Sequence, residues 1–234
     1  MKTPTFTSAI AVTLIGVFGT DRSIAEAAWT STGAKGKTDA DVAGLIPYLV
    51  RQKHGVPFEH AVLTIEVHSP IFVKRQIVKH RHISYSEESA RYHELEPVFY
   101  IPASDRPMVP TATHKPARPD FEAAGERVYR AFAVSSQVVC QLAWEAYQSA
   151  IAAGIAPETA RNVLPVSIYS TARITLNLRA VMHFLGLRIK SEDSAVKSYA
   201  QYEVEQVGKQ VEALFAEHFP ITHKAFVDAK RVTP

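Results

Sequence analysis

Arg75-Gln76-Ile77-Val78-Lys79-His80-Arg81-His82-Ile83-Ser84-Tyr85-Ser86-Glu87-Glu88-Ser89-Ala90-Arg91-Tyr92 is the stretch around which the remaining chain is arranged. Its eighteen residues hold four Arg or Lys, two His, three Ser, two Tyr and two Glu, the cations first and the hydroxyls and carboxylates after. Pro70, followed by Ile71-Phe72-Val73-Lys74, predicts a helix with proline at its first position that runs to about His80. Arg75 and Lys79, four apart, then share a face, with Gln76 beside them. Beyond Arg81 the polar composition predicts a loop whose side chains are free to bind. Fixed cations beside a Ser hydroxyl and carboxylates suit a ligand that carries phosphate and a polar ring. On the residues alone two readings stay open: a solvated basic face, or an anionic-ligand site with a nucleotide among the candidates.

Composition narrows the field. A chain of 234 residues with 47% apolar content suits one domain over 1–234 with an ample core. A net charge of +3 argues against a dedicated nucleic-acid binder, which shows a larger and clustered excess. Cys140 is the one cysteine, so no internal disulfide forms and a reducing, cytoplasmic setting is expected. It lies in the apolar run Val138-Val139-Cys140-Gln141-Leu142 and reads as a small buried hydrophobe. Residues 9–18 admit a signal peptide or a strand that turns at Gly19-Thr20-Asp21 into a helix; Val12, Thr13, Ile15, Val17 and Phe18 favour the strand. No stretch reaches the ~20 apolar residues of a membrane helix, so no membrane is expected.

Along the chain, Asp21 is expected to cap a helix through Ala28, and Thr38 begins another with Val42, Leu45, Ile46, Leu49 and Val50 on one stripe. His54 and His60 do not form a zinc pattern, and no metal is expected. Residues 61–68 and 98–101 read as strands. Residues 102–119 carry five prolines and read as a loop. Pro119-Asp120 is expected to open a helix to about Ala153 whose aromatics (Phe121, Tyr129, Phe132, Trp144, Tyr147) belong to the core. A helix from Leu176 to Arg188 would carry Arg179 and His183 on one face and Asn177 on another, polar groups that are costly to bury unless they bind something. Residues 200–214 form a further amphipathic helix.

Lys79-His80-Arg81, seven residues and then Ser89, resembles the Arg-His-Arg-x7-Ser signature of the flavin-dependent thymidylate synthases, with Lys79 in place of the first Arg. Asn177-x-Arg179-x-x-x-His183-Phe184-Leu185-x-Leu187-Arg188 resembles a second motif of that family. His54-x-x-Pro57-Phe58-Glu59-His60 and Ala200-Gln201-Tyr202-Glu203-Val204 are similar to two more, and the likeness spans about 12–225, including the strand and turn at 12–22. It implies an α+β fold, a small mixed or antiparallel sheet packed with long helices. It also implies reductive methylation of dUMP to dTMP, with methylenetetrahydrofolate as carbon donor and FAD, reduced by NADPH, as hydride carrier, and no cysteine nucleophile. FAD contacts carried over are Ser31, His54, Val56, Glu59, Lys79, His80, Arg81, Glu87, Asn177, Arg179 and His183. Those for dUMP are Arg75, Gln76, Lys79, Glu87, Glu88, Ser89, Ala90, Arg91, Arg161 and Arg188. Arg188 also matches the family's catalytic residue; a guanidinium can hold the uracil anion without losing its own proton. The likeness implies a homotetramer with active sites between subunits. The competing readings are a flavin- or nucleotide-binding relative without turnover, motivated by Lys79, and an RNA-binding module; the modest charge and the lack of an interleaved aromatic and basic platform count against the latter.

Overall fold

The structure, a computed structural model, describes residues 2–116 and 118–234. Thr5–Thr7 is β1 and Ala11–Phe18 is β2, so the N-terminal apolar run is a strand. Gly19 turns the chain at φ +85, a conformation glycine adopts without steric cost. Thr20, rather than Asp21, caps Asp21–Trp29 (α1), its hydroxyl accepting from the Ser23 N–H. Asp21 is drawn away by stronger partners: its buried carboxylate accepts from the N–H groups of Ile221 and Thr222 and from the Thr222 hydroxyl. Thr38 caps Asp39–Arg51 (α2) in a capping box with Asp41. A 3₁₀ turn, Val56–His60, leads into Val62–Pro70 (β3).

The organising stretch departs from its prediction. Pro70 ends β3, and Ile71–Ile77 (α3) is only seven residues long. The His80 N–H bonds the Ile77 carbonyl and closes the helix with a turn that sends the His80 ring inward. Lys79 therefore lies beyond α3, and the shared Arg75–Lys79 helix face does not form. The expected loop after Arg81 is a strand, Ile83–Glu87 (β4). Ile83 and Tyr85 are half-buried between exposed Ser84 and Ser86, a period-2 pattern that the polar composition masked.

Val98–Tyr100 is β5. Within the proline-rich segment, Pro107–Pro110 (β6) is a strand that pairs antiparallel with Phe121–Ala123 (β7), with Pro107 and Pro110 at its ends, where a missing N–H costs least. The long helix consequently starts later than expected, as Glu126–Ala152 (α4). Trp144 and Tyr147 are buried as expected, but Phe121 and Phe132 are 40% and 50% exposed. Pro157–Ala160 (α5) and a 3₁₀ turn, Arg161–Val163, follow. Tyr169–Asn177 (β8) was not foreseen; buried Ala172, Ile174 and Leu176 alternate along it. The helix expected from Leu176 thus begins at Leu178, as Leu178–Arg188 (α6). Tyr202–His218 (α7) and Pro220–Asp228 (α8) complete the chain.

These elements form two compact units, each drawn from three separate segments. The first takes residues up to Ile10, His68–Gln76 and Glu87–Ala172; the second takes Ala11–Val67, Ile77–Ser86 and Arg173–Pro234. In the first, parallel β1 and β5 accompany a core of Leu95, Phe99, Cys140, Trp144, Tyr147 and Ile168. The four-stranded sheet has the order β2-β3-β8-β4. In the second unit Phe58, Leu63, Ile65, Leu176, Phe184, Val207 and Phe215 are buried. Each large apolar side chain so placed contributes about 1.5–3 kcal/mol. Small sheets with long helices make this the expected α+β fold.

Candidate active site

Among the described residues, two cavities are lined by several charged side chains. The one in the second unit encloses about 570 Å³ and is lined by Glu59, Lys79, His80, Arg81, His82, Ile83, Asn177, Arg179, Ala180, His183 and Thr233. Three cations face one carboxylate there, which suits an anionic ligand. Backbone construction puts them in place. Asn177 is the N-cap of α6: its side-chain oxygen accepts from the Ala180 N–H, so it stands at the helix mouth and not on a helix face. Arg179 and His183, one turn apart, are both exposed, so no burial cost arises for them. Arg179 Nη1 donates to Glu59 at 2.7 Å and Nε to the Pro234 carbonyl at 3.0 Å. Its path is open because residue 55 is Gly: a Cβ there would sit 2.6 Å from Arg179 Nε.

In the wall of this cavity, His80 is 7% exposed and packs edge-on against Phe184 at 5.0 Å. Burial, with Arg188 and His183 adding to it, pushes its imidazole down to about 4. It is therefore neutral at pH 7 and can accept: Arg188 Nε donates to His80 Nε2 at 3.1 Å. A neutral ring thus fixes a half-buried guanidinium without cancelling its charge. Desolvation lowers the Arg188 pKa, but such a group stays protonated in the working range.

The first unit holds a cavity of about 310 Å³ lined by Ile71, Glu87, Glu88, Ser89, Ala90, Leu95, Arg161, Leu164, Pro165, Val166 and Ile168. Its carboxylates are tied to β8. Ser170 Oγ donates to Glu87 at 2.6 Å, and the Thr171 N–H donates to Glu88 at 3.1 Å. The other Glu88 oxygen lies 2.8 Å from His93 Nε2. Arg91 is engaged by Glu158, with Nε at 2.8 Å and Nη2 at 2.7 Å from one carboxylate oxygen.

The family model described as "Thymidylate synthase complementing protein" matches residues 13–221. The chain belongs to the flavin-dependent thymidylate synthases. It is 40% identical to the flavin-dependent thymidylate synthase of Streptomyces avermitilis over 238 residues, covering 99% of this chain and 96% of that one. Identity to the flavin-dependent thymidylate synthase of Tropheryma whipplei is 37% over 236 residues, 99% and 98% of the two chains. Among solved structures, a UMP/dUMP methylase, PolB, from Streptomyces cacaoi bound with 5-Br UMP superposes with a TM-score of 0.91 at 39% identity, over 99% of this chain and 100% of that one. The same enzyme with 5-Br dUMP gives 0.91 at 38% identity, over 98% and 99%.

For a flavin-dependent thymidylate synthase, the convergence of the two main motifs is the central feature. Of the residues carried over for FAD, Glu59, Lys79, His80, Arg81, Asn177, Arg179 and His183 line the larger cavity. Ser31, which donates to the Ala28 carbonyl, His54, edge-on to Tyr48, and Val56, 63% exposed, lie outside that lining, and Glu87 lines the smaller cavity. Of those for dUMP, Glu87, Glu88, Ser89, Ala90 and Arg161 come together in the smaller cavity. Arg75 and Gln76 are on α3, Lys79 lines the larger cavity, and Arg188 is held by His80. His82, Ile83, Ala180 and Thr233 of the larger cavity were not foreseen, and neither was Lys74. Lys74 is 1% exposed, and its ammonium donates to the Ser69 carbonyl and, at 2.7 Å, to the Ser170 carbonyl. Its signal was an apolar-face position, three residues from Ile71 and three from Ile77, at which a lysine is out of pattern.

Proposed function

We propose that this protein methylates dUMP at the uracil C5 to give dTMP, with FAD in the larger cavity and the nucleotide in the cavity of Ser89 and Arg161. The observation that carries this reading is the meeting of Lys79-His80-Arg81 with Asn177, Arg179 and His183 around one cavity of about 570 Å³. The donor set fits a flavin dinucleotide: Lys79, Arg81 and Arg179 offer charge to a pyrophosphate, and the His, Asn and Ala180 positions offer polar and apolar edges to rings. When bound, FAD supplies the hydride that completes the methyl group and is restored by NADPH, and methylenetetrahydrofolate supplies the carbon.

The chain's own groups do the remaining work. Arg161 and Ser89 hold the nucleotide phosphate. Arg188 stabilises the uracil anion left when the N3 proton leaves, which makes C5 the better nucleophile; His80 holds that guanidinium in one orientation. Cys140 takes no part. It is 4% exposed, 3.6 Å from Ser167 Oγ, and burial pushes its thiol up, away from the reactive thiolate. In a homotetramer with active sites between subunits, Arg188 of one copy and the Ser89–Arg161 cavity of another serve one nucleotide. The exposed apolar side of α4, with Val128 at 58%, Phe132 at 50%, Val139 at 59% and Leu142 at 59%, is a surface for such contacts. A reducing cytoplasm suits the single thiol.

A second substrate calls for parallel measurement. The superposing PolB structures carry both a ribonucleotide and a deoxyribonucleotide analogue, and we propose UMP as an alternative acceptor in the same cavity. Titrating the protein with FAD and then with dUMP or UMP, followed by flavin fluorescence, tests these assignments. Saturable quenching by FAD and a further saturable change with nucleotide are expected; a flavin signal that never changes overturns the reading.

A further inference from the structure

Lys74 is not accounted for by packing. Its side chain is buried on α3, where a methionine would fill similar volume without the desolvation cost of an ammonium. All three of its donors are spent on neutral oxygens: the Ser69 carbonyl, the Ser170 carbonyl at 2.7 Å and Ser69 Oγ at 3.2 Å. Ser69 and Ser170 are themselves 0% and 1% exposed. They belong to β3 and β8, neighbours in the sheet, so one ammonium clamps two strands. Ser170 in turn donates its hydroxyl to Glu87. The next residue, Thr171, donates its N–H to the Glu88 carboxylate and accepts the Glu88 N–H at its carbonyl. Both glutamates line the cavity of Ser89 and Arg161.

We propose that Lys74 is a positioning residue for the nucleotide: its buried ammonium fixes Ser170, and through it Glu87, and places a positive charge behind two carboxylates that a phosphate-bearing ligand must approach. The inference rests on the nucleotide reading of that cavity. Losing the ammonium removes a bond from the Ser170 carbonyl, so the hydroxyl that orients Glu87 is held less firmly. Losing its charge removes one positive neighbour of Glu87 and Glu88, so the cavity repels an anionic nucleotide more strongly. The charged groups that face Lys74 are those same two glutamates, Glu88 being partnered also by His93. Burial pushes the Lys74 ammonium down to about 8, against the opposing pull of Glu87 and Glu88. The clamp is therefore charged below that pH and loses its charge as pH rises through it.

The test compares the full-length parent with Lys74→Met and Ser170→Ala, each titrated with dUMP from pH 7 to pH 9, with FAD affinity measured on the same samples. Lys74→Met is expected to raise the dUMP Kd about tenfold at pH 7 while FAD affinity stays within twofold. The parent's dUMP affinity should fall toward pH 9 more steeply than the variant's; ionisation of uracil itself is common to both and cancels in the comparison. Ser170→Ala is expected to raise the dUMP Kd severalfold and to keep the parent's pH response, since its carbonyl still receives the Lys74 bond. Parent-like dUMP affinity and pH response in a Lys74→Met protein that binds FAD normally would overturn the inference. If Lys74→Met does not fold, an unchanged dUMP Kd in Ser170→Ala overturns it instead. A parent that binds FAD but no dUMP defeats the nucleotide reading itself, and is distinguishable from both.

Discussion

The two cavities of this protein are built on opposite plans. In the larger, cations face the open space: Lys79, Arg81 and Arg179 are exposed, and Arg179 reaches through the gap left by Gly55. In the smaller, carboxylates face the space and are held from behind by buried Ser170 and Lys74. Residues that face a ligand are read as motif; residues that hold them are read as core. The first plan tolerates side-chain substitution that keeps charge, because solvent screens and flexible stems adjust. The second does not, because each buried donor has a fixed acceptor that is left unsatisfied when it goes.

The difference can be broken first at Arg188, the residue assigned to the chemistry. Arg188→Ala should lower turnover by roughly 10²–10³, about 3–4 kcal/mol, the cost of losing one preorganised charge contact, with FAD still bound. Near-normal turnover at saturating dUMP would remove Arg188 from its role. Its support, His80, predicts an acid limb. The folded pKa of about 4 lies below the ordinary value of 6.5, so the folded state resists protonation. Stability is then lost as pH falls from about 6.5 to 4, where the unfolded chain binds the extra proton. Protonated His80 also ceases to accept from Arg188. Thermal melts of parent and His80→Gln across that window should converge at low pH; parallel curves would refute the assignment.

Gly55→Ala is the next largest effect and is confined to the larger cavity. The added methyl meets the guanidinium of Arg179, a mobile group, so it displaces that side chain and leaves the fold intact. FAD affinity should fall about tenfold, ~1.4 kcal/mol, with dUMP affinity and melting temperature unchanged. A lowered melting temperature at parental FAD affinity would reverse that account. Lys79 sharpens the same point. As an exposed cation it should act through charge, so Lys79→Arg changes FAD or dUMP affinity less than tenfold, ~1.4 kcal/mol. Lys79→Gln should weaken binding most at low salt. A gain far above tenfold in Lys79→Arg would instead indicate a bidentate grip that Lys cannot make. Smallest is Cys140→Ser, which should retain most dTMP formation, because the thiol is buried and no thiolate attack is proposed.

The same contrast governs how much of the molecule was legible in its sequence. Lys79-His80-Arg81 and Asn177-x-Arg179 stood out through their polar and charged density and their likeness to the family's motifs, and the fold brings them to one cavity. β8 was missed because its alternation ends at Asn177, where a helix cap and a strand end coincide, and the apolar run beyond it reads as one helix. β4 was missed because Ser84 and Ser86 disguise a half-buried strand as a loop. Lys74 was missed because a lysine in a short helix is ordinarily solvated, and only β3 and β8 together supply the carbonyls that bury it. The two units could not be read either, since each is drawn from three separated segments.

The central claim is that FAD-dependent methylation of dUMP proceeds here without a cysteine nucleophile. It is tested most directly by stripping flavin from the purified protein and measuring dTMP made from dUMP, methylenetetrahydrofolate and NADPH as FAD is added back. The account predicts no dTMP without FAD and product that rises with FAD occupancy in both parent and Cys140→Ser. Full FAD occupancy with no dTMP, or product formation that vanishes in a folded, FAD-bound Cys140→Ser protein, would contradict it.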